Sequence, residues 1–138
     1  MDILVVDDQE ALHGLLAAFL EDLGYAVVPV TNGRAALSYL RRAADLPGAI
    51  LLDVAMPVMT GWEVLGELQR DARLAEIPVV MMTALGRFDH PGASDSPAAY
   101  IEKPIDLNTL ESILRTFVEP RHLERQIGAQ GISRADGA

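Results

Sequence analysis

Cysteine is absent from this chain of 138 residues, which excludes disulfides, thiolate catalysis and cysteine-ligated zinc. Lysine is nearly absent: of eleven basic residues, ten are Arg and Lys103 is the single Lys. Whatever Lys103 does cannot be lent by a neighbouring ammonium. Positive charge is scarce overall, since twenty acids leave a net charge of −9. Such a chain is not expected to grip a nucleic-acid backbone directly, because that requires clustered cations. No apolar run approaches the ~18 residues of a membrane span, and no basic stretch precedes an apolar one at Met1-Asp2-Ile3. No signal peptide or membrane attachment is therefore expected, and a cytoplasmic location is.

What remains is rich in core-forming residues. Half of the chain is hydrophobic, enough for one domain with a substantial interior and too short for two comfortable ones. Short apolar runs at Ile3–Val6, Ala26–Val30, Ala49–Leu52 and Val79–Met82 are nearly unbroken, and Tyr100–Ile101 adds a weak fifth. Unbroken runs of this length are expected of parallel strands covered on both faces. Helical periodicity lies between them. Leu12, Leu15, Leu16, Phe19, Leu20 and Leu23 form one stripe closed by Gly24, while His13 falls off it and is expected to be solvated. Residues 33–44 and 61–72 carry shorter stripes. A last helix is expected after Asp106, with Leu107, Leu110, Leu114, Phe117 and Val118 on one face. Alternating strands and helices imply βαβ units and right-handed crossovers. The expected fold is α/β, a flavodoxin-like doubly wound sheet of five parallel strands in the order 2-1-3-4-5. The domain is expected over 1–118, with 119–138 a flexible tail or linker stump.

One segment interrupts the alternation. Residues 86–97 stand where a fourth of five helices belongs, yet they hold two Pro, two Gly and two Ser. A proline inside a helix costs about 3 kcal/mol, so this helix is expected to be short, irregular or missing.

In a parallel α/β sheet, ligands bind beyond the carboxyl ends of the strands. The first strand ends at Asp7-Asp8, the third at Asp53, the fourth at Thr83, and the fifth is followed by Lys103-Pro104. Three carboxylates, a hydroxyl and the only ammonium would share one edge. Two like charges 4 Å apart repel by about 4 kcal/mol at an effective dielectric of ~20, so the site calls for a divalent cation. An all-oxygen donor set with few carboxylates suits Mg2+ better than Ca2+. Such a cation beside an ammonium stabilises a transferring phosphoryl group, and a carboxylate can be its nucleophile. Each residue also has a plainer use: Asp8 or Asp53 alone serves as a helix cap, Thr83 as a β-branched strand residue and Tyr100 as a half-buried aromatic. His90 and His122 show no metal-ligand spacing, and Trp62 is expected to pack.

Four motifs in order carry a family resemblance: Val5-Val6-Asp7-Asp8, Leu51-Leu52-Asp53-Val54-Ala55-Met56-Pro57 followed by Gly61, Met82-Thr83-Ala84, and Tyr100-Ile101-Glu102-Lys103-Pro104. Asn32-Gly33 adds to them. Over residues 1–118 the chain resembles the receiver domains of two-component response regulators, the CheY-like family. The resemblance implies that Asp53 accepts a phosphoryl group from a phosphohistidine on a sensor histidine kinase or histidine phosphotransfer protein. It implies Mg2+, with Mn2+ able to substitute, on Asp8, Asp53 and the carbonyl of Ala55, with Asp7 acting through water. Thr83, Ala84 and Lys103 would bind the phosphoryl group, Tyr100 would follow Thr83 inward to a downstream partner, and the Lys103-Pro104 bond would be cis. Ala55 and Leu85 stand where the family tunes attack by water, and neither side chain can orient one, which implies a long-lived phosphoryl group.

Other readings are a pseudo-receiver acting only as a binding module, or the first part of a longer regulator. A phosphatase of the haloacid dehalogenase type would need an Asp where Ala55 stands. A flavin binder would need a Ser/Thr/Gly-rich loop after the first strand.

Overall fold

The computed structural model describes residues 2–84 and 97–119. Leu85, His90, nearly all of the 86–97 segment, His122 and the tail from 120 onwards lie outside them, so the expectations for those residues do too. The chain runs β1 (Asp2–Val6), α1 (Glu10–Asp22), β2 (Ala26–Val30), α2 (Gly33–Arg42), β3 (Ala49–Asp53), α3 (Gly61–Gln69), β4 (Val79–Ala84), β5 (Ala99–Lys103) and α4 (Leu107–Phe117). All pairings are parallel, and the order is β2-β1-β3-β4-β5, as the alternation predicts.

The unbroken apolar strands serve two cores. Side chains alternate across a strand, so Leu4, Val6, Ile50, Leu52 and Met81 face α2 and α3, where they meet Leu37, Leu40, Val64, Leu65 and Leu68. Ile3, Val5, Leu51, Val80 and Met82 face the opposite layer and meet Leu16, Leu20, Leu110 and Leu114 of α1 and α4. The central strands β1 and β3 are apolar on both faces, which fixes their register through both layers at once.

Local chemistry sets the turns. Gly24 ends α1 at φ 101°, a left-handed conformation that favours glycine. Asn32 caps α2, its Oδ1 accepting from Ala35 N at 2.7 Å. Thr60 and Glu63 form a reciprocal capping box at the start of α3: Thr60 N donates to Glu63 Oε1 at 2.8 Å and Glu63 N to Thr60 Oγ1 at 3.2 Å. Arg73 donates to the carbonyls of Leu40, Ala43 and Ala44 at the end of α2. Tyr25 OH donates to Val118 O at 2.8 Å, tying the start of β2 to the end of α4. Burial raises the Tyr25 phenol above its usual range.

Three expectations need correction. The buried stripe of α1 is His13, Leu16 and Leu20, turned towards His13, while Leu15 is 52% exposed. Phe117 is 37% exposed, because the buried contacts of α4 are made by Leu110 and Leu114. Asp106 occupies the N-cap position of α4, but its carboxylate makes no bond to the helix backbone and accepts from the Thr109 hydroxyl instead.

Gly61 lets α3 start against the end of β3. Its N–H donates to Val54 O at 2.8 Å, and a Cβ there would meet Asp53 O at 2.3 Å and Val54 Cα at 2.9 Å. Both obstacles are backbone and cannot rotate away. Gly61→Ala is therefore expected to cost about 2 kcal/mol, the middle of the range for overpacking. Thermal unfolding should show a fall of roughly 5–10 °C, and an unchanged midpoint would contradict this close approach.

Candidate functional site

The carboxyl ends of β1, β3, β4 and β5 meet at one edge of the sheet. β1 and β3 are neighbours in register, Val6 opposite Leu52, so Asp7 and Asp53 leave adjacent strands. Asp53 pairs in register with Met82 on β4, and Ala84 with Lys103 on β5. Asp7 is 0% exposed and Asp53 5%, while Asp8 stays at the surface. One oxygen from each of Asp7, Asp8 and Asp53 lies within 4.8 Å of the others.

Lys103 enters between two of these acids. Its Nζ lies 2.7 Å from Asp7 Oδ2 and 3.2 Å from Asp53 Oδ1. The Lys103-Pro104 peptide bond that follows is cis. Burial alone would lower the ammonium, but its bond to Asp7 and the charges of Asp53 and Asp7 outweigh this, and its pKa is raised. Asp53 is raised as well: burial is the main cause, the Asp7 charge adds to it, and Lys103 only partly opposes both. The two carboxylates are treated differently. Asp7 Oδ1 also accepts from Gln9 N at 2.8 Å, whereas the backbone gives Asp53 only a long contact from Ala55 N, at 3.4 Å to Oδ1.

The remaining expected residues lie on the loop after β3 and on β4 and β5. Ala55 is exposed on the loop after Asp53. Thr83 is buried at the end of β4, its hydroxyl donating weakly to the Ala84 carbonyl at 3.4 Å. Tyr100 sits further out on β5 at the surface. Its ring is 6.2 Å from Trp62, centroid to centroid and tilted by 57°, so Trp62 packs on a residue expected to switch. Val58, on the loop between Asp53 and α3, is held at φ 70°, a strained conformation for a β-branched side chain. His13 was not expected near the site at all, yet it is 8% exposed and its Nε2 lies 2.6 Å from the Asp7 carbonyl.

Residues 3–115 match the family described as the response regulator receiver domain. The chain belongs to the receiver-domain family. It is 32% identical over 133 residues to the response regulator Rre1 of Synechocystis sp., covering 94% of this chain and 57% of that protein. The chain spans about half the length of the first curated relatives it matches. Among solved structures, chemotaxis protein CheY4 of Vibrio cholerae is similar at a TM-score of 0.76 and 28% identity, covering 85% of this chain and 98% of that one. A second is the receiver domain of the sensor histidine kinase PA1611 from Pseudomonas aeruginosa, at a TM-score of 0.75 and 27% identity, covering 84% and 95%; it has a magnesium ion coordinated in its active-site cleft. Receiver domains are signalling proteins rather than conventional enzymes; they take phosphoryl groups from histidine kinases and bind Mg2+ at an acidic pocket. The donor set of this receiver fits that ion, since all three candidate side chains offer hard carboxylate oxygens within one ion's reach.

Because its pKa is raised in the folded state, Asp53 contributes stability that is fully present below its unfolded pKa and is lost as pH rises through the folded value. At neutral pH its charge is a liability of the metal-free protein. Asp53→Asn is expected to raise the melting temperature without metal by about 3–5 °C, near 1 kcal/mol for a chain of this size. Mg2+ should then stabilise the wild type more than the variant. Calorimetry with chelator and with Mg2+ checks both, and a variant less stable without metal would refute the electrostatic account.

Proposed function

We propose that this receiver domain accepts a phosphoryl group on Asp53 from a phosphohistidine of a sensor histidine kinase or histidine phosphotransfer protein. The observation that carries the reading is Lys103 Nζ lying between Asp7 and Asp53 within a cluster of three carboxylates. A capping role explains a single Asp after a strand, but not a buried pair of them sharing the only lysine.

An Asp53 carboxylate oxygen attacks phosphorus. The P–N bond of the phosphohistidine breaks, its electron pair stays on the imidazole, and an acyl phosphate forms. Asp8, Asp53 and the Ala55 carbonyl would hold Mg2+, or Mn2+ in its place, with Asp7 acting through water; when bound, the ion offsets charge on the phosphoryl oxygens. Lys103 is already within hydrogen-bonding distance of Asp53 and takes a phosphoryl oxygen as the charge moves outward. Raised basicity favours Asp53 as a nucleophile, because burial has left its charge poorly solvated.

Thr83 and Ala84, at the end of the neighbouring strand, complete the phosphoryl-binding set. Reorientation of the Thr83 hydroxyl vacates space that Tyr100 fills, and the changed β4–β5 surface is what a downstream protein reads. Tyr100 leaves Trp62 as it moves, so indole emission reports the switch. In a longer regulator the same surface would act on an attached output domain.

Incubation with Mg2+ and acetyl phosphate should add one phosphoryl group by intact mass, absent from Asp53→Ala and lost on chelation of the metal. Lys103→Met should still bind Mg2+ and keep the fold, yet show no change in Trp62 emission on phosphorylation. A wild type that never forms the adduct would instead make this chain a pseudo-receiver, used only as a binding surface.

A further inference from the structure

Among the described residues, the chemistry above leaves one buried polar side chain unused. His13, on the first turn of α1, places Nε2 2.6 Å from the backbone oxygen of Asp7. A carbonyl oxygen only accepts, so Nε2 carries the proton and donates. The other ring nitrogen, Nδ1, is buried with no hydrogen-bond partner. This is an unfavourable arrangement for the fold alone. A leucine at position 13 would fill the same face beside Leu16 and Leu20 with no unpaired ring nitrogen, but it would give up the bond to the Asp7 oxygen.

The accepting oxygen belongs to the peptide unit joining Asp7 to Asp8. That unit is planar, so holding its oxygen fixes the rotation on both sides, and with it the direction in which each carboxylate leaves the chain. The other polar atoms of Asp7 are already held: its N–H donates to Val30 O at 3.2 Å, Oδ1 accepts from Gln9 N at 2.8 Å, and Oδ2 accepts from Lys103 at 2.7 Å. His13 completes the set at the backbone oxygen. Asp8 is exposed, so the peptide plane, rather than packing, aims its carboxylate towards Asp53.

We propose that His13 is a positioning residue of the acidic site: its Nε2–H clamps the Asp7-Asp8 peptide so that the carboxylates meet a divalent cation in the spacing they already have. The inference rests on the Mg2+-dependent phosphoacceptor reading. It assigns His13 a role in metal affinity that is separable from any role in stability.

The test compares the wild type, His13→Leu and His13→Gln, whose amide nitrogen reaches about as far as the ring Nε2 and can donate the same bond. Each is titrated with Mg2+ by calorimetry and melted without metal. His13→Leu exchanges one unpaired buried atom, Nδ1, for another, the Asp7 oxygen, so it should melt near the wild type yet bind Mg2+ about 10-fold more weakly, the lower end of what loss of a metal-site supporting hydrogen bond costs. His13→Gln should recover most of that affinity. Equal Mg2+ affinity in the wild type and His13→Leu would overturn the proposal. So would a lower melting point for His13→Leu with no recovery in His13→Gln, which would make His13 a packing residue. A wild type that takes up no Mg2+ would fail the underlying reading on its own titration, and the clamp with it.

Discussion

The ion triad of Lys103 with Asp7 and Asp53 is the constraint around which the molecule is arranged. Two buried carboxylates on adjacent strands repel, and one ammonium from β5 cannot neutralise both. Burying charge is unfavourable unless geometry and hydrogen bonds repay it, so the cluster cannot be what stabilises the fold. The two apolar layers do that. They hold β1 and β3 in register through both faces of the sheet, which keeps the acids close despite their repulsion. The order β2-β1-β3-β4-β5 then brings four strand ends, separated by nearly a hundred residues of sequence, to one edge.

Within the triad the two acids are held very unequally, and that inequality carries the chemistry. All four polar atoms of Asp7 have a partner, from Val30, Gln9, Lys103 and His13. Asp53 shares the same lysine at a longer distance and receives a long contact from Ala55 N. Asp7 is thus held at every polar atom, while Asp53 is a carboxylate whose burial raises its pKa. On the proposed reading this suits Asp53 to the nucleophile's role, since a carboxylate wrapped in hydrogen bonds would be less reactive.

Much of this was legible in the sequence because it follows from composition along single elements. Unbroken apolar runs announced parallel strands covered on both faces, and an Asp, Thr or Lys at the end of each marked the edge where the sheet would gather them. The Thr-x-x-Glu spacing of Thr60 and Glu63 also carries the signature of their capping box. His13 was not legible. Periodicity locates a stripe from apolar residues alone, and a histidine beside it counts as polar whether or not the end of β1 presents a carbonyl to it. Leu15 was misplaced by the same rule, since the face that α1 buries is set by how it leaves the Asp7-Asp8 turn rather than by leucine count. The approach of Trp62 to Tyr100 depends on where α3 and β5 lie in space, which no local pattern encodes.

The bonds around Asp53 differ from one side of the site to the next. On the β1 side, Asp7 is clamped at every polar atom. At the start of α3, Gly61 is pressed against the Asp53 carbonyl and the capping box locks the first turn. On the β4–β5 side the Thr83 hydroxyl contacts the Ala84 carbonyl at 3.4 Å, and Tyr100 lies at the surface beside the tilted indole of Trp62. On the proposed reading, bond formation at Asp53 would act through β4 and β5, the strands that carry Thr83 and Tyr100, while the two apolar layers keep their packing.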